Sequence, residues 1–182
     1  MNVSVDAIKA LRKKTGAPLG EVRSALEASG GDEAKAIALL RQQGFEAARK
    51  RQDRATAAGR IESYVHHDGR VAALIEVHCE TDFVARLPEF QQFCRDVAMQ
   101  VASQNPLCVK LDDLPPAQLN EAKRTGKPPA DFARELCLLE QPFIKDQGQT
   151  IVQYLTALIA KTGENVVIRR FVRFALGETP NP

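Results

Sequence analysis

Two runs of alternating residues meet at Asp68-Gly69, and this meeting constrains the fold more than any other feature of the chain. Before it, Ile61, Ser63 and Val65 alternate with Glu62, Tyr64 and His66; after it, Val71, Ala73, Ile75, Val77 and Cys79 share one parity, and Leu74, Glu76 and His78 the other. Successive strand side chains point to opposite faces, so a period of two is the mark of a strand. Asp-Gly supplies the positive φ that a tight hairpin turn demands. The segment therefore reads as an antiparallel hairpin with one apolar face. A hairpin alone is marginal in water, so it needs a third strand and a cover. Residues 166–176 are dense in β-branched and aromatic side chains and supply the strand. Strict alternation there puts Ile168, Val172 and Phe174 on one face, and Val167 and Phe171 on the other. The cover is a helix from near Pro88 to Asn105-Pro106, where Phe90, Phe93, Cys94, Val97, Ala98 and Val101 form a continuous apolar stripe.

The first 45 residues have a different period. Ser4 is a good N-cap, Val5, Ile8 and Leu11 fall on one helical face, and Gly16 ends the helix. Pro18 suits the first turn of a second helix with Leu19, Val22, Ala25 and Leu26 on its apolar face, stopped by Gly30-Gly31. Asp32 caps a third helix with Ala34, Ile37, Ala38 and Leu40 inward, ending at Gly44. The expected organisation is an N-terminal three-helix bundle at 1–45, a basic linker at 46–58, and an α+β core at 59–182. Residues 107–130 read as a proline-rich connection with a short helix near 117–123. Residues 131–140 read as helical, followed by a surface turn. Thr150 caps a last helix closed by Gly163.

Charge and composition narrow the function. Of 182 residues, 44% are hydrophobic and 26% charged, with a formal net charge of +2. That is a globular composition without a strong pull toward nucleic acid or an anionic membrane. Residues 1–60 hold 12 basic and 7 acidic residues, a net +5, and the remainder is −3. No apolar signal core or bilayer-length run is visible, which points to the cytoplasm. Cys79, Cys94, Cys108 and Cys137 form no CxxC pair and read as core thiols.

Reactive constellations are hard to find. Gly126-Lys127 is followed by proline, where a phosphate loop needs Ser or Thr for magnesium. His66-His67 and His78-Cys79 lie on strands, where neighbours diverge, so neither converges on an ion. Glu80 and Asp82 stand at a strand exit, where carboxylates are usually solvated. Arg49, Lys50 and Arg51 have no interleaved aromatic for base stacking. Phe83 is the peculiar residue. It follows a buried strand and precedes the Arg86-Leu87-Pro88 break, so it is either a core plug or an exposed anchor for a partner's pocket.

Glu76-Val77-His78-Cys79-Glu80-Thr81-Asp82-Phe83-Val84-Ala85-Arg86 resembles the signature of the elongation factor Ts family. Leu11-Arg12-Lys13-Lys14-Thr15-Gly16-Ala17 resembles the family's N-terminal motif. Leu138-Leu139-Glu140-Gln141-Pro142-Phe143-Ile144-Lys145-Asp146 and Gly163-Glu164-Asn165-Val166 continue the likeness in family order. The resemblance implies a protein that releases GDP from elongation factor Tu without covalent chemistry, a cofactor or a nucleotide of its own. It implies a ubiquitin-associated-like bundle that docks on the partner through Arg12, Leu19 and Arg23, ahead of a core with a three-stranded antiparallel sheet packed by helices. It also implies that Thr81, Asp82, Phe83 and Val84 intrude near the partner's magnesium and phosphate site. Only one such segment occurs here, which resembles the short form that pairs as a homodimer. His78 and Pro18 depart from frequent Asn and Gly. Two other readings stand beside it: a ubiquitin-binding adaptor built on the bundle, and an RNA-binding accessory using Arg49, Lys50 and Arg51.

Overall fold

A computed structural model describes residues 3–114, 116, 120, 124, 126 and 128–178. The chain divides into two compact units. The first takes the chain up to Ala55 together with Gln153–Asn165; the second takes Thr56–Val152 and the chain from Val166.

Helices α1 (Val5–Thr15), α2 (Leu19–Ala28) and α3 (Glu33–Arg49) open the first unit. Ser4 Oγ accepts the Ala7 N–H, and Asp32 accepts the Lys35 N–H, so both side chains satisfy donors that a helix start leaves orphaned. Gly16 closes α1 at φ 67°. Pro18 stands just outside α2 as its N-cap residue. Leu11, Val22, Ala25, Leu26, Ala36 and Leu40 form a buried core.

Two expectations change here. The buried positions of α3 are Ala36 and Leu40, with Ile37 beside them, while Ala34 and Ala38 face water. The helix also runs through Gly44 rather than ending there. Gly44 is buried, and a Cβ built on it would lie 3.2 Å from Thr156 Cγ2. The glycine marks close approach of the late helix α7 (Ile151–Thr162) and not a stop. Past α3, the Arg51 guanidinium donates to the Gly163 and Ala47 carbonyls at 2.9 and 2.8 Å. The Asn165 amide donates to the Gln52 and Arg54 carbonyls.

The second unit is built on the expected sheet. Strands β1 (Ala58–Val65), β2 (Val71–Cys79) and β5 (Val166–Ala175) run antiparallel in the order β1-β2-β5. The hairpin loop is wider than two residues: the His66 N–H reaches the Val71 carbonyl, and the Gly69 N–H returns to the His66 carbonyl. Ala73, Ile75, Val77 and Cys79 are buried, as the alternation requires. Helix α5 (Pro88–Gln104) covers that face with Phe90, Phe93, Cys94, Val97, Ala98 and Val101. Asn105, at φ 47°, caps it.

The expected alternation in β5 fails at one point. The β2–β5 register shifts between Glu76 and Val77, so one extra β5 residue intervenes between Ile168 and Arg170. A bulge of one residue reverses the parity of everything beyond it. Ile168 is buried, whereas Val172 and Phe174 lie on the open face.

Downstream lie α6 (Pro129–Leu136), a short 3₁₀ turn at Leu138–Glu140, and the small hairpin β3 (Pro142–Phe143) and β4 (Asp146–Thr150). The expected surface turn is thus a pinned hairpin. Buried Gln100 donates to the Pro142 carbonyl and accepts the Ile144 N–H, while Lys145 reaches buried Asp96 at 2.6 Å. The helix expected at 117–123 falls largely outside the described residues.

Candidate functional site

Strand β2 ends at Cys79, and the chain turns at once into α4, a four-residue helix of Asp82–Ala85. Thr81 has extended backbone and its hydroxyl accepts the Val84 N–H, which caps the turn. The Ala85 N–H reaches the Thr81 carbonyl, and the Arg86 N–H the Phe83 carbonyl. Val84 is only 7% exposed and anchors α4 to the unit's core. Pro88 then starts α5, where a missing N–H costs nothing.

These constraints decide how the segment presents itself. With Val84 held inward, Phe83 points outward and is 76% exposed. The core-plug reading of Phe83 is therefore wrong for the free chain. Asp82 is also exposed and forms an i,i+4 ion pair with Arg86 at 2.6 Å. A large aromatic in water on a turn pinned at both ends is an ordered, uncovered apolar feature.

Leu19 and Arg23 stand four residues apart on α2, on the same side of that helix. Leu19 is 56% exposed, and Arg23 holds Glu27 at 2.8 Å, a hydrogen bond that raises the guanidinium pKa. Arg12 sits in the last turn of α1 and is exposed. Val22 points inward between them, so the apolar stripe expected on α2 splits into a buried part and an exposed Leu19.

Sequence reasoning missed a second surface. Ile61, Val65, Leu74, Val172 and Phe174 are all exposed, on the sheet face away from α5. The register places Val65 opposite Ala72 and Ala72 opposite Phe174, and Leu74 lies between Ser63 and Val172. The pattern of β1 carried the signal, because its half-buried parity is the polar one, Arg60, Glu62 and Tyr64. At one end of this face Glu76 binds Arg170 at 2.5 Å and His78 at 2.6 Å. These two hydrogen bonds, Arg170's first, hold the carboxyl below its ordinary range.

Among the described residues no three His, Cys, Asp or Glu side chains gather to hold a metal ion. No described helix is long and apolar enough to cross a membrane.

An α+β core that carries a rigid, exposed aromatic turn has the layout of a protein that works by contact. Residues 45–130 match the family model described as Elongation factor TS. A Rubrobacter xylanophilus protein named Elongation factor Ts is 46% identical over 97% of this chain and 100% of its own length. Proteins of the same name from Solidesulfovibrio magneticus and Heliobacterium modesticaldum are 44% and 42% identical over 97% of this chain, and cover 98% and 91% of their own. The chain belongs to the elongation factor Ts family.

Proposed function

We propose that this protein is a guanine-nucleotide exchange factor that binds elongation factor Tu and promotes GDP release during translation elongation in the cytoplasm. The observation that carries the reading is Phe83, a ring 76% exposed on a turn that Thr81 and Val84 hold rigid. GDP in such a partner is held by magnesium and by backbone N–H groups around its phosphates. Phe83 wedges into the partner beside that cradle and favours a conformation in which the N–H groups are misaligned. Asp82, kept close by Arg86, holds the displaced backbone; Thr81 and Val84 fix the turn that delivers both. The protein itself needs no cofactor, metal or bound nucleotide for this, and makes no covalent bond.

Linkage makes the effect reciprocal. A factor that weakens GDP binding is itself bound more weakly when GDP is present. GDP leaves through a ternary complex, and incoming GTP expels the factor. The bundle at 1–45 provides a second contact through Arg12, Leu19 and Arg23, joined through the basic segment 46–58 to the core at 59–182.

The open sheet face supports a homodimer. Ile61, Val65, Leu74, Val172 and Phe174 present apolar surface across all three strands, and a second copy of the same face covers it. The test of function is the release rate of fluorescent GDP from elongation factor Tu at fixed magnesium. A saturable acceleration supports the reading. No acceleration with a well-folded cognate partner refutes it and favours the adaptor.

A further inference from the structure

Cys108 and Cys137 are 29 positions apart in sequence and face each other in a parallel backbone bridge. Their Sγ atoms are 3.3 Å apart. The two backbones are tied on both sides of the pair. The Leu107 and Cys108 N–H groups reach the Leu136 carbonyl, Leu138 N–H reaches the Cys108 carbonyl, and Leu139 N–H reaches the Val109 carbonyl. Leu114, Phe132 and Ala133 complete a small apolar cluster around the sulfurs. The pair therefore closes the base of the proline-rich excursion that follows Val109 and ends in α6.

We propose that Cys108 and Cys137 are a reversible dithiol–disulfide couple that staples this excursion when a low-molecular-weight disulfide is available as oxidant. One cysteine thiolate attacks a sulfur of the small disulfide. A mixed disulfide forms and one small thiolate leaves, taking up the proton the cysteine lost. The second cysteine, as thiolate, attacks the protein sulfur of the mixed disulfide. The Cys108–Cys137 bond forms, and the second small thiol leaves with the remaining proton. Two protein thiols are oxidised, and one small disulfide is reduced to two thiols. A disulfide needs close backbones and Cβ vectors that do not point apart, which a bridge pair with its sulfurs already in contact supplies with little movement. Cys79 and Cys94 are buried as well, and Cys79 Sγ donates to the Thr81 carbonyl at 3.1 Å.

The couple is slow as well as reversible. Burial pushes both thiols up from the ordinary cysteine value, so little thiolate exists at neutral pH. Exchange proceeds through local openings that bare the sulfurs, and faster at higher pH.

The test uses the full chain, incubated with oxidised glutathione at millimolar concentration and pH 8, then alkylated and digested for mass spectrometry. The expected result is one intrachain cross-link joining the Cys108 and Cys137 peptides, with Cys79 and Cys94 alkylated. The melting temperature rises by about 10 °C, from closing a loop of this length in a chain of this size, and reductant reverses it. Cleavage within 115–127 then leaves fragments that separate on a gel only after reduction. Cys108→Ala and Cys137→Ala each abolish the cross-link and the shift. Four alkylated cysteines after incubation in enough urea to open the excursion, a persistent glutathione adduct, or a cross-link through Cys79 or Cys94 overturns the proposal. The mapping on the unaltered chain decides the matter even if a variant folds poorly.

Discussion

Replacing Phe83 by alanine separates contact with a partner from support of the fold. In the free chain the ring is 76% exposed, so about a quarter of it is withdrawn from water. Full burial of a phenylalanine is worth about 1.5–3 kcal/mol, so the covered quarter contributes under about 0.8 kcal/mol. For a chain of this size that lowers the melting temperature by less than about 3 °C. If the ring seats fully in elongation factor Tu, its loss there is that of a central anchor, about 2–4 kcal/mol. At about 1.4 kcal/mol per decade this is a fall of roughly 30- to 700-fold in exchange efficiency. The assay is stopped-flow release of fluorescent GDP across a range of factor concentrations, beside a thermal melt of each variant. Val84→Ala is the matched control one residue away. Val84 is buried, so its truncation costs roughly 1–2.5 kcal/mol of folding stability and moves the melt first. Exchange within twofold of the parent for a folded Phe83→Ala refutes the wedge. A melting temperature lowered by more than about 6 °C would show instead that Phe83 supports the fold after all.

Asp82→Ala leaves the melt unchanged, because its pair with Arg86 is solvent-exposed, and reduces exchange as much as Phe83→Ala or less. Leu74→Asp combined with Phe174→Asp converts a dimer to a monomer in analytical ultracentrifugation; a monomer mass for the parent chain at micromolar concentration sinks the dimer proposal. Gly59→Ala destabilises severely, by about 3 kcal/mol or more in a denaturant titration, since its Cβ would lie 2.4 Å from the Val77 carbonyl oxygen and 2.9 Å from His78 Cα; a stability within 1 kcal/mol of the parent contradicts the packing. The pH prediction concerns Glu76, whose folded pKa lies below its ordinary value of 4.5. Its contribution is present above that ordinary value and disappears as the pH falls through the lower folded one. Melting curves from pH 6 to 3 therefore fall less steeply for Glu76→Gln, and identical slopes would remove the argument.

The parts of the fold legible in the sequence were those governed by an unbroken local period. The α5 stripe from Phe90 to Val101 and the buried parity of β2 needed only spacing. The errors came where a distant partner decided. Gly44 has the residue type of a helix stop, but α7 packs on it. Ile168 and Val172 share sequence parity, but the bulge opposite Glu76 sends them to different faces. For the candidate site, motif likeness pointed to the turn, whereas composition alone left Phe83 either buried or exposed. What it lacked was the inward pull of Val84 and the Thr81 cap, which together leave Phe83 only the outward direction. The apolar open face escaped notice because β1 hides Arg60 and Glu62 against the sheet's covered side while showing Ile61 and Val65 to water.

The division of the first unit between two stretches of sequence has a consequence during synthesis. Its opening stretch ends at Ala55, but the residues of α7 that lie against Gly44 follow only after Gln153. The α1–α3 core can form as soon as that stretch leaves the ribosome. The buried flank of α3 around Gly44 waits for the chain to lengthen by roughly 110 residues more, about 5–20 s at about 5–20 residues per second. In that interval the half-finished unit shows a surface that the completed one never does, and a nascent-chain binding factor would find it there.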